Sequence, residues 1–156
     1  MRIEVKQMSN EQLLRQLLDA IPSYVFLMDS DCAIQDYNAA AGAFLGQGPQ
    51  QILRKRGGEA FHCIHSRDVL EGCGRGEYCR NCIIRGAVAE AFAGKKCVRR
   101  RAKMELLSGA SVRQLNVLVT ASPFRYQDYS WVALILEDLD AVTHHTPRPA
   151  HCGTDL

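Results

Sequence analysis

The stretch LLDAIPSYVFLMDSDCAIQDYNAAAGAFLG, residues 17–46, decides how this chain folds. Tyr24-Val25-Phe26-Leu27-Met28-Asp29 is a run of β-formers and reads as a strand. Ser30-Asp31 supplies a tight turn, and Ala33-Ile34-Gln35-Asp36-Tyr37-Asn38 reads as a second strand pairing back on the first, so the segment is a hairpin. Asn38 can then cap a helix of small residues, Ala39 to Leu45, because its side-chain oxygen can accept from an orphan N–H of the first turn. Gly46-Gln47-Gly48-Pro49 stops that helix before a short helical piece, Gln50 to Arg54.

Upstream, Asn10 to Ile21 predicts an amphipathic helix with Leu13, Leu14, Leu17, Leu18 and Ile21 on one stripe, Ser9 or Asn10 as its N-cap, and Pro22-Ser23 as its end. Downstream, residues 57–79 read as an irregular, glycine-marked segment too long to stand without a cross-link. Arg80 to Phe92 carries Ile83, Ile84, Ala87, Val88, Ala91 and Phe92 at helical spacing, with Gly94 as its stop, which puts Cys79 and Cys82 at that helix's first turn. Three strands follow: Val98 to Leu106, Ser111 to Ser122 after a Ser108-Gly109 turn, and Trp131 to Asp138 after a loop around Gln127-Asp128. The chain divides into an N-terminal extension (1–9), one domain (10–140) and a tail (141–156) in which Pro147 and Pro149 oppose regular structure.

At 156 residues and 47% hydrophobic, the chain suits a single core. A formal charge of +2 gives no global pull toward nucleic acid. The basic run Lys95, Lys96, Arg99, Arg100, Arg101 and Lys103 reads as the solvated face of a strand, with Arg100 out of phase. No apolar run approaches the ~20 residues a membrane span needs, and the charged N-terminus lacks the pattern of a secretory leader. A cytoplasmic protein is expected. No phosphate loop, nucleophile elbow or paired catalytic acids is visible, so no enzymatic role is expected. Asp29, Asp31 and Asp36 read as strand-end and turn residues, and Phe124, Tyr126, Tyr129 and Trp131 as core and edge packing of the last hairpin.

The chain has seven cysteines, an odd number that argues against a fully paired disulfide framework. Cys32, Cys97 and Cys152 are scattered, whereas Cys63, Cys73, Cys79 and Cys82 cluster with the spacing Cys-x9-Cys-x5-Cys-x2-Cys. Four thiolates brought together by glycine-rich turns suit zinc or an iron-sulfur cluster. A helix N-terminus would favour the anionic form of Cys79 and Cys82, which assists either metal and equally a reversible disulfide among Cys73, Cys79 and Cys82. His62 and His65 flank Cys63 and could replace a cysteine as fourth ligand or bind haem iron. His144, His145, His151 and Cys152 could form an incidental metal patch on the tail.

From Leu13 to about Asp140 the chain resembles a PAS domain. LLDAIPSYVFLMDSDCAIQDYNAAAGAFLG is similar to that family's opening hairpin and Asn-initiated helix, and ALILEDLD, residues 133–140, to its closing strand and acidic exit. The resemblance implies an α+β fold, a five-stranded antiparallel sheet with helices on one face cupping a small-molecule pocket whose organic ligand, if any, is unknown. It implies a module that senses or dimerises without chemistry of its own and passes its signal to a separate signalling protein. Some bacterial PAS sensors hold an iron-sulfur cluster on four cysteines and respond to oxygen. GEAFHCIHSRDVLEGCGRGEYCRNCIIRGAV, residues 58–88, is similar in its cysteine count and differs in spacing from their paired Cys-x2-Cys arrangement.

These features predict a stand-alone sensory module with a metal or cluster on Cys63, Cys73, Cys79 and Cys82, dimerising through the leucine stripe of the N-terminal helix. The alternatives are an interaction domain with structural zinc, or metal-free cysteines that switch by oxidation.

Overall fold

A computed structural model describes residues 8–144. Most of the N-terminal extension, and of the tail with His145, His151 and Cys152, lies outside the described residues. Helix α1, Asn10–Asp19, starts at Ser9, whose hydroxyl accepts from the Gln12 N–H while the Gln12 side chain accepts from the Ser9 N–H. This reciprocal pair satisfies two donors that a helix start otherwise leaves open. Strands β1 (Tyr24–Met28) and β2 (Ile34–Tyr37) form the opening hairpin, and α2 (Ala39–Leu45) follows directly with Asn38 as its cap.

The middle of the chain is more regular than its glycines suggest. Helix α3 spans Pro49–Ile52 and α4 spans Gly57–Phe61, and 3-10 turns occupy Ile64–Arg67 and Glu77–Asn81. Gly57, Gly58, Ala60 and Phe61 of α4 are all buried, so the paired glycines serve close packing rather than irregularity. Helix α5 spans Ile83–Phe92. Cys82 is its N-cap and Cys79 lies one turn earlier in the 3-10 segment, so the expectation of both in the helix's first turn is corrected. Strands β3 (Cys97–Ser108), β4 (Ser111–Tyr126) and β5 (Tyr129–Asp138) complete the sheet, and α6, Leu139–His144, extends regular structure into the start of the segment read as tail.

The sheet is antiparallel with order β2-β1-β5-β4-β3. Alternate residues of β4 and β5, Leu115, Val117, Val119 and Ala121 with Val132, Leu134 and Leu136, face the helices and are buried. Phe26, Met28 and Ile34 from the hairpin and Ala87, Val88 and Ala91 from α5 close the same core. Helix α5 packs on the β5, β4 and β3 side of the sheet.

The β4–β5 hairpin is longer than the sequence suggests. Gln127 and Asp128 both adopt positive φ, +48° and +65°, the mirror-image turn whose twist matches paired strands. Phe124, Tyr126 and Tyr129 project from its far end, between 40% and 66% exposed, so they are not core. A bulge between Cys97 and Arg100, with Arg99 at φ +49°, turns Cys97 inward in place of Val98, while Arg100 keeps the helix-facing register opposite Val119 at the sheet edge. Arg99 then pairs with Glu137 and Arg100 with Glu90, each through two nitrogens.

Candidate functional site

A cavity of about 340 Å³ lies between α5, the 63–82 segment and the inner face of β3. Cys63, Cys73, Cys79 and Cys82 all line it. They reach it from separate places: Cys63 follows α4, Cys73 sits in the glycine-flanked loop, Cys79 lies in a 3-10 turn, and Cys82 caps α5. All are free thiols. The sequence spacing therefore did identify side chains that share one space.

The loop is held by close backbone approaches. A Cβ on Gly58 would stand 2.7 Å from the Cys73 sulfur, so only glycine lets α4 pack beneath that residue. Gly74, at φ +85°, lies against the guanidinium of Arg85, where a Cβ would come to 2.1 Å from Cζ. Hydrogen bonds fix the rest. The Cys73 N–H donates to Glu59 Oε1 at 2.9 Å, the Cys63 N–H to Gly58 O at 2.8 Å, and the Gly74 N–H to Cys79 Sγ at 3.2 Å.

Among the described residues, no three His, Cys, Asp or Glu side chains stand close enough to share one metal ion. Four sulfurs on a single zinc, at about 2.3 Å each, lie only about 3.8 Å apart. Here the thiols surround a space rather than a point.

The histidines separate. His65 lines the thiol cavity, stacks on Tyr78 with ring centroids 4.6 Å apart, and has Nδ1 2.8 Å from Asp68 Oδ2. That contact leaves Nε2 as the nitrogen able to ligate. His62 is the αL C-cap of α4 and lines a different cavity, of about 190 Å³, beside Leu106 and Arg113. The expectation that His62 could stand in for a cysteine is corrected on that ground.

Two features of the site have no sequence signal of their own. Cys32, in the β1–β2 turn at φ +58°, is buried and also lines the cavity, making a fifth thiol there. Burial pushes its pKa up to about 12, so Cys32 stays protonated at neutral pH. Burial likewise raises Cys63.

The second feature is a charged clasp. Arg85 Nη2 donates to Asp31 O at 2.9 Å, to Asp31 Oδ1 at 3.3 Å and to Cys73 O at 3.2 Å. Asp31 Oδ2 also accepts from Arg56 Nε at 2.8 Å and from Arg75 Nη2 at 3.2 Å. Burial alone would raise Asp31, but the hydrogen bond and charge of Arg56, with Arg75 and Arg85 behind them, hold its carboxyl below the usual range. For Arg85, burial works against the charge, and the contacts to Cys73, Cys32 and Asp31 outweigh it and raise its pKa.

No protein-family model matches the sequence, and no curated protein matches it. Solved structures do match in fold. The PAS domain of nitrogen regulation protein NR(II) from Vibrio parahaemolyticus superposes with a TM-score of 0.58 at 16% identity, covering 81% of this chain and 98% of that one. A LOV protein of Rhodobacter sphaeroides gives 0.55 at 14% identity, covering 94% and 72%. The PAS domain of an HTR-like protein from Haloarcula marismortui gives 0.54 at 16%, covering 83% and 96%. The chain has the PAS fold. Among its described residues no helix is long and apolar enough to cross a membrane.

Proposed function

We propose that this protein is a PAS-type sensory or regulatory module in signal transduction whose cavity takes an iron-sulfur cluster on Cys63, Cys73, Cys79 and Cys82 and so responds to redox state or a gas. The observation that carries the reading is that these four thiols, all from the segment 63–82, line one cavity beside α5. Such a cluster supplies one-electron redox chemistry and sensitivity to oxygen or nitric oxide. Cys63, Cys73, Cys79 and Cys82 would hold it, with the Gly74 N–H donating to the Cys79 sulfur, and Phe61, Met28 and Ile84 would give it an apolar wall.

Helix α5 is the element best placed to pass a change on. Its N-cap is Cys82, and its buried face, Ala87, Val88 and Ala91, rests on the sheet. A signalling protein would receive the change across a homodimer. Helix α1 supports that arrangement: it buries no residue, and Leu13, Leu14 and Leu17 are 41%, 58% and 58% exposed. Replacing Leu14 and Leu17 by lysine should give a folded monomer by light scattering. An unchanged oligomeric state would remove the dimer from the proposal.

The test of the site is an absorption spectrum with iron, sulfide and zinc analysis on protein purified without oxygen, compared with Cys79→Ser. Broad absorbance near 400 nm with stoichiometric iron and sulfide, lost in the variant, is the expected result. One zinc and no colour would make the site structural and the module an interaction domain. Protein free of metal would leave the cysteines to thiol switching or to packing.

A further inference from the structure

The far end of the β4–β5 hairpin leaves the sheet as a free arm. Strand β1 ends at Met28, opposite Val132, and β3 begins at Cys97, opposite Ala121. Phe124 with Trp131, Arg125 with Ser130 and Tyr126 with Tyr129 therefore pair without a third strand beside them. Side chains alternate along both strands. Val119 and Ala121 on β4, and Val132 and Leu134 on β5, face the helices, which turns Phe124, Tyr126, Tyr129 and Trp131 to the opposite face. Four aromatic side chains thus share one face of a two-stranded ribbon, with the rings of Tyr129 and Trp131 in contact at 6.2 Å. Phe124, Tyr126 and Tyr129 are exposed, and an aromatic cluster open to water marks a contact surface.

Cations gather where the arm leaves the sheet. Lys95 and Lys96 stand just before β3, and Arg101 and Lys103 lie on the same outer face as the rings, since Ala102 and Met104 take the buried face. Arg99 and Arg100 are neutralised by Glu137 and Glu90, and Lys95 stands near that same Glu90. Lys96, Arg101, Lys103 and Arg125 have no ion-pair partner among the described residues. Asp128, in the turn, is the only carboxylate between Ser122 and Trp131.

Charge and shape select the partner. A stable protein interface covers ~800 Å² on each side with fitted surfaces. A ribbon of three unsupported residue pairs is a small, projecting surface for that. A lipid surface demands no fitted shape: amphipathic rings settle at headgroup depth, and unpaired cations meet anionic headgroups.

We propose that this arm is a peripheral anchor on an anionic lipid bilayer, with Phe124, Tyr126, Tyr129 and Trp131 entering the headgroup region and Lys96, Arg101 and Lys103 lying against its phosphates. The contact is independent of what fills the thiol cavity. It also leaves α1 free, because the chain passes from α1 into β1 at Tyr24, opposite Leu136, at the end of β5 away from the arm.

Trp131 is the only tryptophan in the chain, so its emission reports this face alone. The full chain is mixed with vesicles of phosphatidylcholine, either pure or with about a third phosphatidylglycerol, and binding is read by flotation and by Trp131 emission. The anionic vesicles should carry the protein and shift the emission to shorter wavelength, and raised salt should release it. Tyr126→Ser combined with Tyr129→Ser should abolish binding and leave the melting temperature unchanged, because both positions are exposed. Lys96→Glu combined with Lys103→Glu should weaken binding at least ~10-fold with all four rings in place.

Failure of wild type to bind, equal binding to both kinds of vesicle, or full binding by the tyrosine variant overturns the proposal. An emission shift that grows with protein concentration before any vesicle is added also overturns it and assigns the face to a second copy of the chain. Should the tyrosine variant melt early, the lysine variant decides, and undiminished binding there overturns the proposal in the same way.

Discussion

Gly58 shows how a single missing carbon sets the place of Cys73. Because a Cβ there would lie 2.7 Å from the Cys73 sulfur and 2.8 Å from its Cβ, Gly58→Ala must push Cys73 away from α4. The expected cost is ~1–3 kcal/mol from overpacking, read from urea unfolding of the metal-free protein, together with lower iron content on reconstitution. Retention of full stability and full iron would show that the loop has slack. Asp31 gives a prediction in pH. Its folded pKa is depressed, so it contributes stability above the unfolded value of about 3.9, and that contribution is lost as pH falls through the folded pKa. Urea midpoints should therefore drop from about pH 4 downward in wild type, and Asp31→Asn should remove part of that slope. Equal slopes would mean that the three arginines do not perturb Asp31 in solution.

What the sequence shows at this scale depends on neighbourhood along the chain. Four cysteines within twenty residues announce themselves, and the cavity does collect them. Cys32 gave no signal, because the nearest of those cysteines follows it by 31 positions and only the fold brings it alongside. Asp31 reads as an ordinary turn residue until Arg56, Arg75 and Arg85 arrive from three later segments. Arg85 itself is, with Glu90, one of two charges in an otherwise apolar helix, a pattern that usually means solvent.

Among the elements, the α1–β1–α2 corner depends on Asn38. Its side chain is buried; Oδ1 accepts from the Val25 and Ala41 N–H groups, while Nδ2 lies within 3.0–3.1 Å of the carbonyls of Leu18, Ile21 and Ser23. Asn38→Ala strands these groups together, and the expected loss is about 2–4 kcal/mol in chemical unfolding, with α1 detaching first. Asn38→Asp keeps the accepting oxygen but sets a second carboxylate oxygen against three carbonyls in a buried place, so at neutral pH it should cost at least as much as Asn38→Ala. A loss within error of zero for Asn38→Ala would mean that the corner is held by packing alone. The capping half of this role was legible from Asn38 standing before a small-residue helix. Its grip on α1 was not, since it depends on a chain reversal between Ile21 and Tyr24.

The strands follow the same division. Hydrophobic alternation located all of them, but the far end of the β4–β5 hairpin was read as loop because Gln127-Asp128 lacks the glycine that such turns favour. The bulge at Arg99 broke the period of β3, and a broken period in the sequence is where the pairing register shifts.

At the scale of the whole molecule, the thiol segment is both site and structure. Residues 57–82 contribute Gly57, Gly58, Ala60 and Phe61 to the buried interior, yet between Ile64 and Asn81 they contain only 3-10 turns and loops. A group bound by all four cysteines would cross-link this segment to α5 and stabilise the native state by mass action. Removing metal with a chelator from anaerobically purified protein should therefore lower the melting temperature by several degrees and increase hydrogen exchange over 63–82 before elsewhere. Unchanged melting and exchange would indicate that nothing bound there supports the fold. The overall architecture was readable from element order alone, because two strands, short helices and three strands leave few ways to close one antiparallel sheet. Depth and volume of the cavity were not readable, because they arise from how far α5 stands off β3.

The strand order β2-β1-β5-β4-β3 also has a bearing on how the protein is made. β1 lies near the start of the described chain, and β5, its partner at the centre of the sheet, lies near the end. A ribosome will have released every cysteine of the cavity while the central strand is still unsynthesised, and the thiols will meet solvent, stray metal and oxidants before their walls exist. Nascent chains halted ahead of Tyr129 should thus behave as open, reactive thiol peptides. Maturation of any centre on these cysteines belongs after translation, once β5 has closed the sheet.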